Sequence, residues 1–233
     1  MKKKIANVGE AAWILGLMLC ALGVCLTVKA DFGVATIVSP GYILYLKISE
    51  YVPAFTLGMS QYLVQGIVLL ALFLMVRRFK LKYFLCFLTA VIHGILVDAW
   101  NLALAYVSPQ SNLDRIACFS VGMIITSLAI SLMLRTYLPQ EVHELAVKEI
   151  SEKFSKSVNK IKWIYDISFL VIAIILMICL FGKFSFEMIG VGTVAMAVLN
   201  TPLITMWGKL LDKFFSFTPI LPKFYDYFER IMD

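Results

Sequence analysis

Residues 51–76 read YVPAFTLGMSQYLVQGIVLLALFLMV, a run of 26 residues without a single formal charge. A helix needs about 20 predominantly apolar residues to cross the hydrocarbon core of a bilayer. The whole chain shares this bias, because 61% of its 233 residues are apolar and 15% are charged, whereas ordinary globular domains are about 25% charged. The composition therefore excludes an ordinary water-soluble domain and predicts an all-α integral membrane protein.

Six stretches are long and apolar enough to span, at about residues 11–29, 53–76, 83–106, 115–135, 163–182 and 187–207. Leaving aside Glu187 at the first position of the sixth stretch, two of them contain an acid, Asp98 in the third and Asp166 in the fifth. A carboxylate at the bilayer centre costs at least about 2.5 kcal/mol, so both acids are unusual. A seventh apolar piece, residues 32–49, is short and interrupted by Pro40 and Gly41. We interpret it as a broken helix, either re-entrant or interfacial.

The distribution of Lys and Arg predicts the orientation. With six spans and both termini inside, seventeen of the 21 cations fall in cytoplasmic segments, where positive charge accumulates. The net charge of +6 then reflects topology near anionic lipid and gives no reason to expect a nucleic-acid partner. Residues 2–30 also resemble a signal peptide with a cleavage site at residues 28–30, but their apolar run is longer than a usual signal-peptide core. We interpret the run as an uncleaved first helix.

The chain also repeats itself loosely. Residues 93–100 (HGILVDAW) are echoed by residues 200–207 (NTPLITMW), and each copy contains three spans. Because three is odd, the second copy enters the membrane from the opposite side. We therefore predict two inverted repeats, residues 1–113 and 114–208, followed by a cytoplasmic interfacial tail at 209–233. Inverted repeats are common in secondary transporters, whose site lies between the halves.

The second copy places a charged segment where the first has its broken helix. Residues 139–155 are predicted to form a cytoplasmic amphipathic helix, with Glu141 and Glu144 in its first turn and Lys148 and Lys153 near its end. The apolar side of this helix would rest on the membrane or on the other half. Its position suits a gate, and equally a surface connector.

Polar side chains within spans indicate a pathway, because lipid does not solvate them. His93 could carry a proton or bind a substrate, or could make an interhelical hydrogen bond. Asp166 could bind a cation, or could pair with Lys162 one helical turn away. Asp98 lies about 140° round the helix from His93, so these two are not expected to pair. The residues predicted to line a substrate or ion pathway are Gln61, Gln65, His93, Asp98, Asp166, Thr193 and Asn200.

Enzyme signatures are missing from the sequence. It contains no HExxH, GxSxG or phosphate-loop pattern, so we predict no enzyme activity and no cofactor. Two histidines are too few to suggest an intramembrane metal site. The five cysteines fall in predicted spans without a CxxC pair, and we interpret them as small buried side chains that bind no metal.

Several short motifs nevertheless suggest a family. Residues 22–33 (LGVCLTVKADFG), 39–44 (SPGYIL) and 94–98 (GILVD), with LPQE at 138–141 and GVGT at 190–193, resemble the YczE/YitT-like integral membrane proteins of bacteria. The resemblance covers most of residues 10–207. It implies a multi-pass protein of the bacterial inner membrane. The activity of that family is not established, so the resemblance supplies no substrate.

Together these observations favour a permease for a small solute or ion that works by alternating access between the two halves. The alternative is a non-transporting membrane subunit or scaffold that binds a partner protein or lipid. A transporter needs a hydrated polar cavity, whereas a scaffold can close its polar residues into mutual hydrogen bonds. The expected partners are the lipid bilayer and an unidentified solute or ion, with a homo-oligomer or a protein partner left open.

Overall fold

The computed structural model describes residues 8–77, 80–186 and 188–232. These residues form nine helices and no strand, which confirms the predicted all-α class. In chain order the helices are α1 (Gly9–Lys29), α2 (Ser39–Ser49), α3 (Leu57–Val76), α4 (Leu81–Ala103), α5 (Asn112–Met133), α6 (Val142–Phe154), α7 (Val158–Phe181), α8 (Val191–Phe214) and α9 (Pro222–Met232).

Six of these helices, α1, α3, α4, α5, α7 and α8, are long and apolar enough to cross a membrane. They expose large apolar side chains such as Leu74, Ile175 and Val194, and such a surface suits lipid rather than water. The chain is therefore a multi-pass membrane protein. The last span was predicted to end near residue 207, whereas α8 continues to Phe214 and includes the first residues of the predicted tail.

Two of the three short helices, α2 and α6, have 11 and 13 residues. Helix α2 lies in the segment predicted to be broken. Helix α6 lies in the segment predicted to be amphipathic, although it begins only at Val142 because the backbone of Glu141 is extended. Val142 and Ala146 are buried in a core that also contains residues of α3, α4 and α7. Helix α6 is thus packed into the bundle and is more than a connector on its surface.

The most extensive contact between two helices joins α1 to α5. Gly23 and Gly122 face each other there, and a Cβ built on Gly23 would lie 2.8 Å from the carbonyl oxygen of Gly122. Because only glycine lets two backbones approach so closely, this pair sets the distance between the two helices.

Most of the remaining helix contacts are reproduced when α1–α4 are exchanged for α5–α8. Helix α1 packs on α4 as α5 packs on α8, and α2 packs on α3 and α7 as α6 packs on α7 and α3. Two pairs break the pattern. Helix α3 packs along α4 whereas α7 and α8 barely touch, and α4 packs on α6 whereas α8 has no comparable contact with α2. The division into two inverted repeats stays a prediction, but the asymmetry leaves a gap between α7 and α8.

The described part of the chain begins and ends at the same end of the bundle, which we call the terminal end. There the carboxylate of Glu10 accepts hydrogen bonds from the Tyr137 hydroxyl (2.6 Å) and from the backbone N–H of Ile220 (2.7 Å). Arg135 forms a bidentate salt bridge with Asp212, with N–O distances of 2.8 and 2.9 Å. The contacts of Glu10 join α1 to the segments that follow α5 and α8, and the pair of Arg135 with Asp212 joins the segment after α5 to α8.

Candidate functional site

A polar cavity of about 80 Å³ lies between the middles of the long helices. Every spanning helix and α6 contribute to its wall. More than half of its lining residues are polar, which is a large share for a membrane protein because polar side chains are rare away from the membrane surface. The polar lining residues are Thr36, Gln61, Gln65, His93, Thr126, Gln140, Glu141, His143, Glu144, Lys162, Asp166, Asn200 and Thr201.

The stretch between α5 and α6 carries Gln140 and Glu141 into this cavity. The carbonyl oxygen of Pro139 accepts hydrogen bonds from the Trp13 indole N–H (2.9 Å) and from the Thr89 hydroxyl (3.2 Å). An extended backbone inside the membrane cannot satisfy its own polar groups. These side chains from α1 and α4 therefore hold the stretch within the bundle.

Glu141 and Gln65 bind each other and the start of α6. The Gln65 amide N–H donates to Glu141 Oε2 at 2.5 Å, and Gln65 Oε1 accepts from the backbone N–H of Val142 at 3.0 Å. The first N–H groups of a helix have no partner within it, so Gln65 caps α6. Burial raises the pKa of Glu141, and the hydrogen bond from Gln65 acts in the opposite direction.

His93 lies beside this pair and is 4% exposed. Its Nδ1 is 3.3 Å from Glu141 Oε1, but the alignment is poor and neither ring nitrogen has a hydrogen-bond partner. Thr126, Gln140 and Asn200 also line the cavity, and one side-chain oxygen of each has no hydrogen-bond partner. An unsatisfied buried polar group costs about 1–3 kcal/mol. Several of them around one cavity favour a polar occupant, water or a ligand.

A second polar group lies on α6 and α7. His143 Nδ1 is 2.6 Å from the Tyr165 hydroxyl. Burial lowers the pKa of His143 to about 3, and Lys162 and His93 act in the same direction, so the ring is neutral near pH 7 and can accept from Tyr165. Burial likewise raises the pKa of Glu144, against the effect of Lys162.

The polar cavity continues toward the outside of the bundle. A second cavity of about 140 Å³ lies between α7 and α8. It shares Thr36, Lys162, Asp166 and Thr201 with the first, and it reaches Asn159 near the start of α7. This crevice exists because α7 and α8 barely touch. The two cavities therefore adjoin each other, and the second lies on the α7 and α8 side of the first.

Five of the residues predicted to line a pathway lie on the wall of the central cavity, and two do not. The five are Gln61, Gln65, His93, Asp166 and Asn200. Asp166 is also 3.5 Å from Lys162 Nζ. Thr193 is fully buried elsewhere; Gly33, which has a φ of +88°, is packed against it with no room for a Cβ.

Asp98 binds the first turn of α3 at the end of the bundle opposite the terminal end. Its Oδ2 accepts from the Thr56 hydroxyl at 2.6 Å, and its Oδ1 accepts from the Gly58 backbone N–H at 2.8 Å. Asp98 therefore joins α4 to the start of α3 and has no part in the cavity wall.

We expect Asp98→Asn to lower the free energy of unfolding by about 2 kcal/mol, because the amide would place an N–H group against one of two donors. Thermal unfolding in detergent measures this loss. Thr56→Ser keeps the hydroxyl donor and serves as the control. Equal melting temperatures for Asp98→Asn and the intact protein would contradict the assigned capping role.

Sequence reasoning missed several residues of the site, chiefly Cys20, Gln140, Glu141, His143 and Glu144. Glu141 and Glu144 resembled the charges of an exposed helix start. One signal was present, because residues 142–147 (VHELAV) place apolar side chains on more than one side of the helix. The donor atoms of Cys20, His93 and Glu141 lie within 4.8 Å of one another, and these residues could hold a metal ion.

Comparison with known proteins gives a family and no activity. No curated protein and no solved structure matches the chain. A family model matches residues 9–209, and the chain therefore belongs to a family of unknown function (DUF6198). This agrees with the expectation of an uncharacterised family.

Proposed function

We propose that this membrane protein is a permease for a small solute or ion. The observation that carries the proposal is the central polar cavity, which is walled by helices from both predicted halves and holds four side chains with unpartnered polar atoms. A protein that needs these residues only for packing would gain by pairing them. A polar cavity between two halves is the arrangement of many secondary transporters.

The helix contacts support inverted repeats as part of this proposal. Exchanging α1–α4 for α5–α8 reproduces most of the helix contacts. In this arrangement α2 and α6 are the short helices of the two halves, and each packs on the second long helix of both halves. Helices α7 and α8 are separated, whereas the equivalent helices α3 and α4 are in contact. Alternating access requires such a difference, because the gap in one half opens while the gap in the other half is closed.

The charge distribution supports an orientation in a bacterial inner membrane with both termini in the cytoplasm. The terminal end then faces the cytoplasm. The crevice between α7 and α8 reaches Asn159 and Lys162 near that end, so this conformation would be open inward. The kinship with YczE/YitT-like proteins belongs to the proposal too, and it adds no substrate.

One observation favours the alternative of a non-transporting scaffold. Asp98 and Asp166 both have partners, and Glu141 is held by Gln65, as a protein that closes its polar residues into mutual contacts would show. We favour transport because the cavity and its unpartnered atoms persist beside those pairs.

Uptake into proteoliposomes tests the proposal. The probes are a panel of radiolabelled amino acids, monosaccharides, inorganic anions and metal cations. We expect at least one probe to enter faster than into empty liposomes. Glu141→Gln removes a buried charge from the cavity and should lower that uptake by about tenfold or more. Glu152→Gln changes an exposed acid on α6 and should leave uptake unchanged.

A second measurement needs no substrate. The variant Asn200→Cys places a thiol on the cavity wall. In a protein whose native cysteines are replaced by serine, this thiol reports whether the cavity is open to water. We expect a membrane-impermeant maleimide to label it from the cytoplasmic face. Absence of labelling from both faces, together with absence of uptake across the panel, would overturn the transport proposal in favour of the scaffold.

A further inference from the structure

Three side chains that are far apart in the sequence meet beside the central cavity. Cys20 lies on α1, His93 on α4 and Glu141 directly before α6. Their donor atoms lie within 4.8 Å of one another, and the residues are 7%, 4% and 9% exposed. Among the described residues this is the one group of His, Cys, Asp and Glu side chains with such spacing.

The donor set is selective. A thiolate, an imidazole and a carboxylate are the side chains that bind Zn²⁺, at about 2.3 Å for sulfur and about 2.0–2.2 Å for nitrogen and oxygen. Mg²⁺ and Ca²⁺ prefer oxygen ligands alone. Tetrahedral ligands at those lengths lie about 3.3–3.6 Å apart. His93 Nδ1 and Glu141 Oε1 are already 3.3 Å apart. The donor atoms of all three residues lie within 4.8 Å of one another, so Cys20 needs to approach by no more than about 1.5 Å.

The state of His93 is an independent observation that points to a ligand. Its ring is more than nine-tenths buried, and neither nitrogen has a hydrogen-bond partner. A histidine retained only for structure would use at least one nitrogen in a hydrogen bond. The same ring lines the cavity, so a bound ion would satisfy a nitrogen that otherwise has no partner.

The neighbouring side chains suit a metal site as well. Gln65 donates to Glu141 Oε2 and leaves Oε1 directed at His93. Partners of this kind orient ligands in metal sites. Two anionic ligands, a thiolate and a carboxylate, would also cancel the charge of a divalent cation, which lowers the cost of burying that charge.

We propose that Cys20, His93 and Glu141 form a binding site for a divalent transition-metal cation of the Zn²⁺ class. Three protein ligands leave a fourth position directed at the cavity, as in zinc sites that exchange a ligand. The site would bind its ion whether or not the protein transports anything, so it goes beyond the proposed permease activity. The small number of histidines predicted no metal site. The sequence could not show this one, because it does not reveal which thiol and carboxyl group lie near His93.

The test uses the purified, tag-free, full-length protein in detergent, with Zn²⁺ in equilibrium dialysis and Co²⁺ as the spectroscopic probe. We expect one Zn²⁺ per chain and a thiolate-to-cobalt charge-transfer band. Cys20→Ser should remove the band and weaken Zn²⁺ binding by about tenfold or more, and His93→Gln should weaken binding similarly.

Cys25→Ser is the matched control. Cys25 lies on the same helix and is buried, but its thiol donates to the Val97 carbonyl oxygen at 3.3 Å and it is not part of the group. This variant should keep both the band and the affinity. Size-exclusion profiles identify any variant that fails to fold.

The proposal is overturned if the intact protein binds no stoichiometric Zn²⁺, or if folded Cys20→Ser and His93→Gln bind it as tightly as the intact protein does. Uptake separates this result from the fate of the permease. Binding with neither uptake of any probe nor maleimide labelling at position 200 would leave the metal site standing and remove transport, and uptake of another solute without Zn²⁺ binding would do the reverse.

Discussion

Glu149→Gln is expected to lower the free energy of unfolding by about 3 kcal/mol, because it breaks a buried ion pair and leaves one charge uncompensated. Glu149 Oε1 is 2.8 Å from Lys82 Nζ, and the two side chains are 9% and 13% exposed. Glu149 Oε2 also accepts from the Tyr83 hydroxyl at 2.9 Å. This group ties α6 to the start of α4 and so helps to hold Glu141 in the cavity.

The same carboxyl group predicts a dependence on pH. Burial acts to raise the pKa of Glu149, but the hydrogen bonds and charge of Lys82, with the hydroxyl of Tyr83, lower it below its ordinary value of 4.5. A lowered folded-state pKa means that the stabilisation is present above the unfolded-state pKa and is lost as the pH falls through the folded-state value. The intact protein should therefore lose stability on acidification below about pH 4.5, and Glu149→Gln should lack this part of the loss.

Thermal unfolding followed by tryptophan fluorescence measures both effects. A loss of about 3 kcal/mol corresponds to a decrease of roughly 9 °C in the melting temperature for a chain of this size. Glu152→Gln, an exposed acid on the same helix, should change the melting temperature little. A similar small change for Glu149→Gln would show that the pair with Lys82 does not stabilise the fold.

Gly58→Ala is expected to destabilise the protein by about 3 kcal/mol or more, since overpacking a close helix contact forces the backbones apart. A Cβ built on Gly58 would collide with the carbonyl oxygen of Gly94 on α4 and would lie 2.6 Å from Asp98 Oδ2. The nearest atom is backbone, so no side-chain rotation relieves the collision. The substitution would also disturb the hydrogen bond between the Gly58 N–H and Asp98.

Gly66 provides a matched control on the same helix. A Cβ there would meet only a ring atom of Phe87, at 3.3 Å, and that side chain can shift. Gly66→Ala should therefore be close to neutral, helped by the higher helix propensity of alanine. If the two variants melt at the same temperature, the contact between Gly58 and Gly94 is looser than the structure shows.

Polarity within an apolar span was a useful guide to the site, although an incomplete one. Gln61, Gln65 and His93 were predicted from their positions in apolar runs, and all three line the cavity. The same rule selected Asp98, which instead caps the first turn of α3. An intramembrane acid needs a partner, but its sequence does not say whether that partner is a substrate or a neighbouring helix.

Glu141 shows the opposite error. Its segment contains enough charge to predict a cytoplasmic amphipathic helix that rests on the membrane or on the other half, and Glu141 was not predicted to line the pathway. In the structure Trp13, Thr89 and Gln65 supply the hydrogen bonds that let this segment enter the bundle. Each of these bonds joins residues that are at least 50 positions apart. A pattern confined to one segment does not show them.

The sequence alone determined that this is an all-helical protein with six membrane-spanning helices. The physical reason is that the transfer of a helix into lipid depends on its own residues, and its backbone hydrogen bonds are satisfied within it. Only the tertiary structure decided which polar groups meet. Helices in a membrane associate through the shape of their contacts, as at Gly23 and Gly122, and not through a difference in polarity from the lipid. The proximity of Cys20, His93 and Glu141 follows from that packing, and no single segment encodes it.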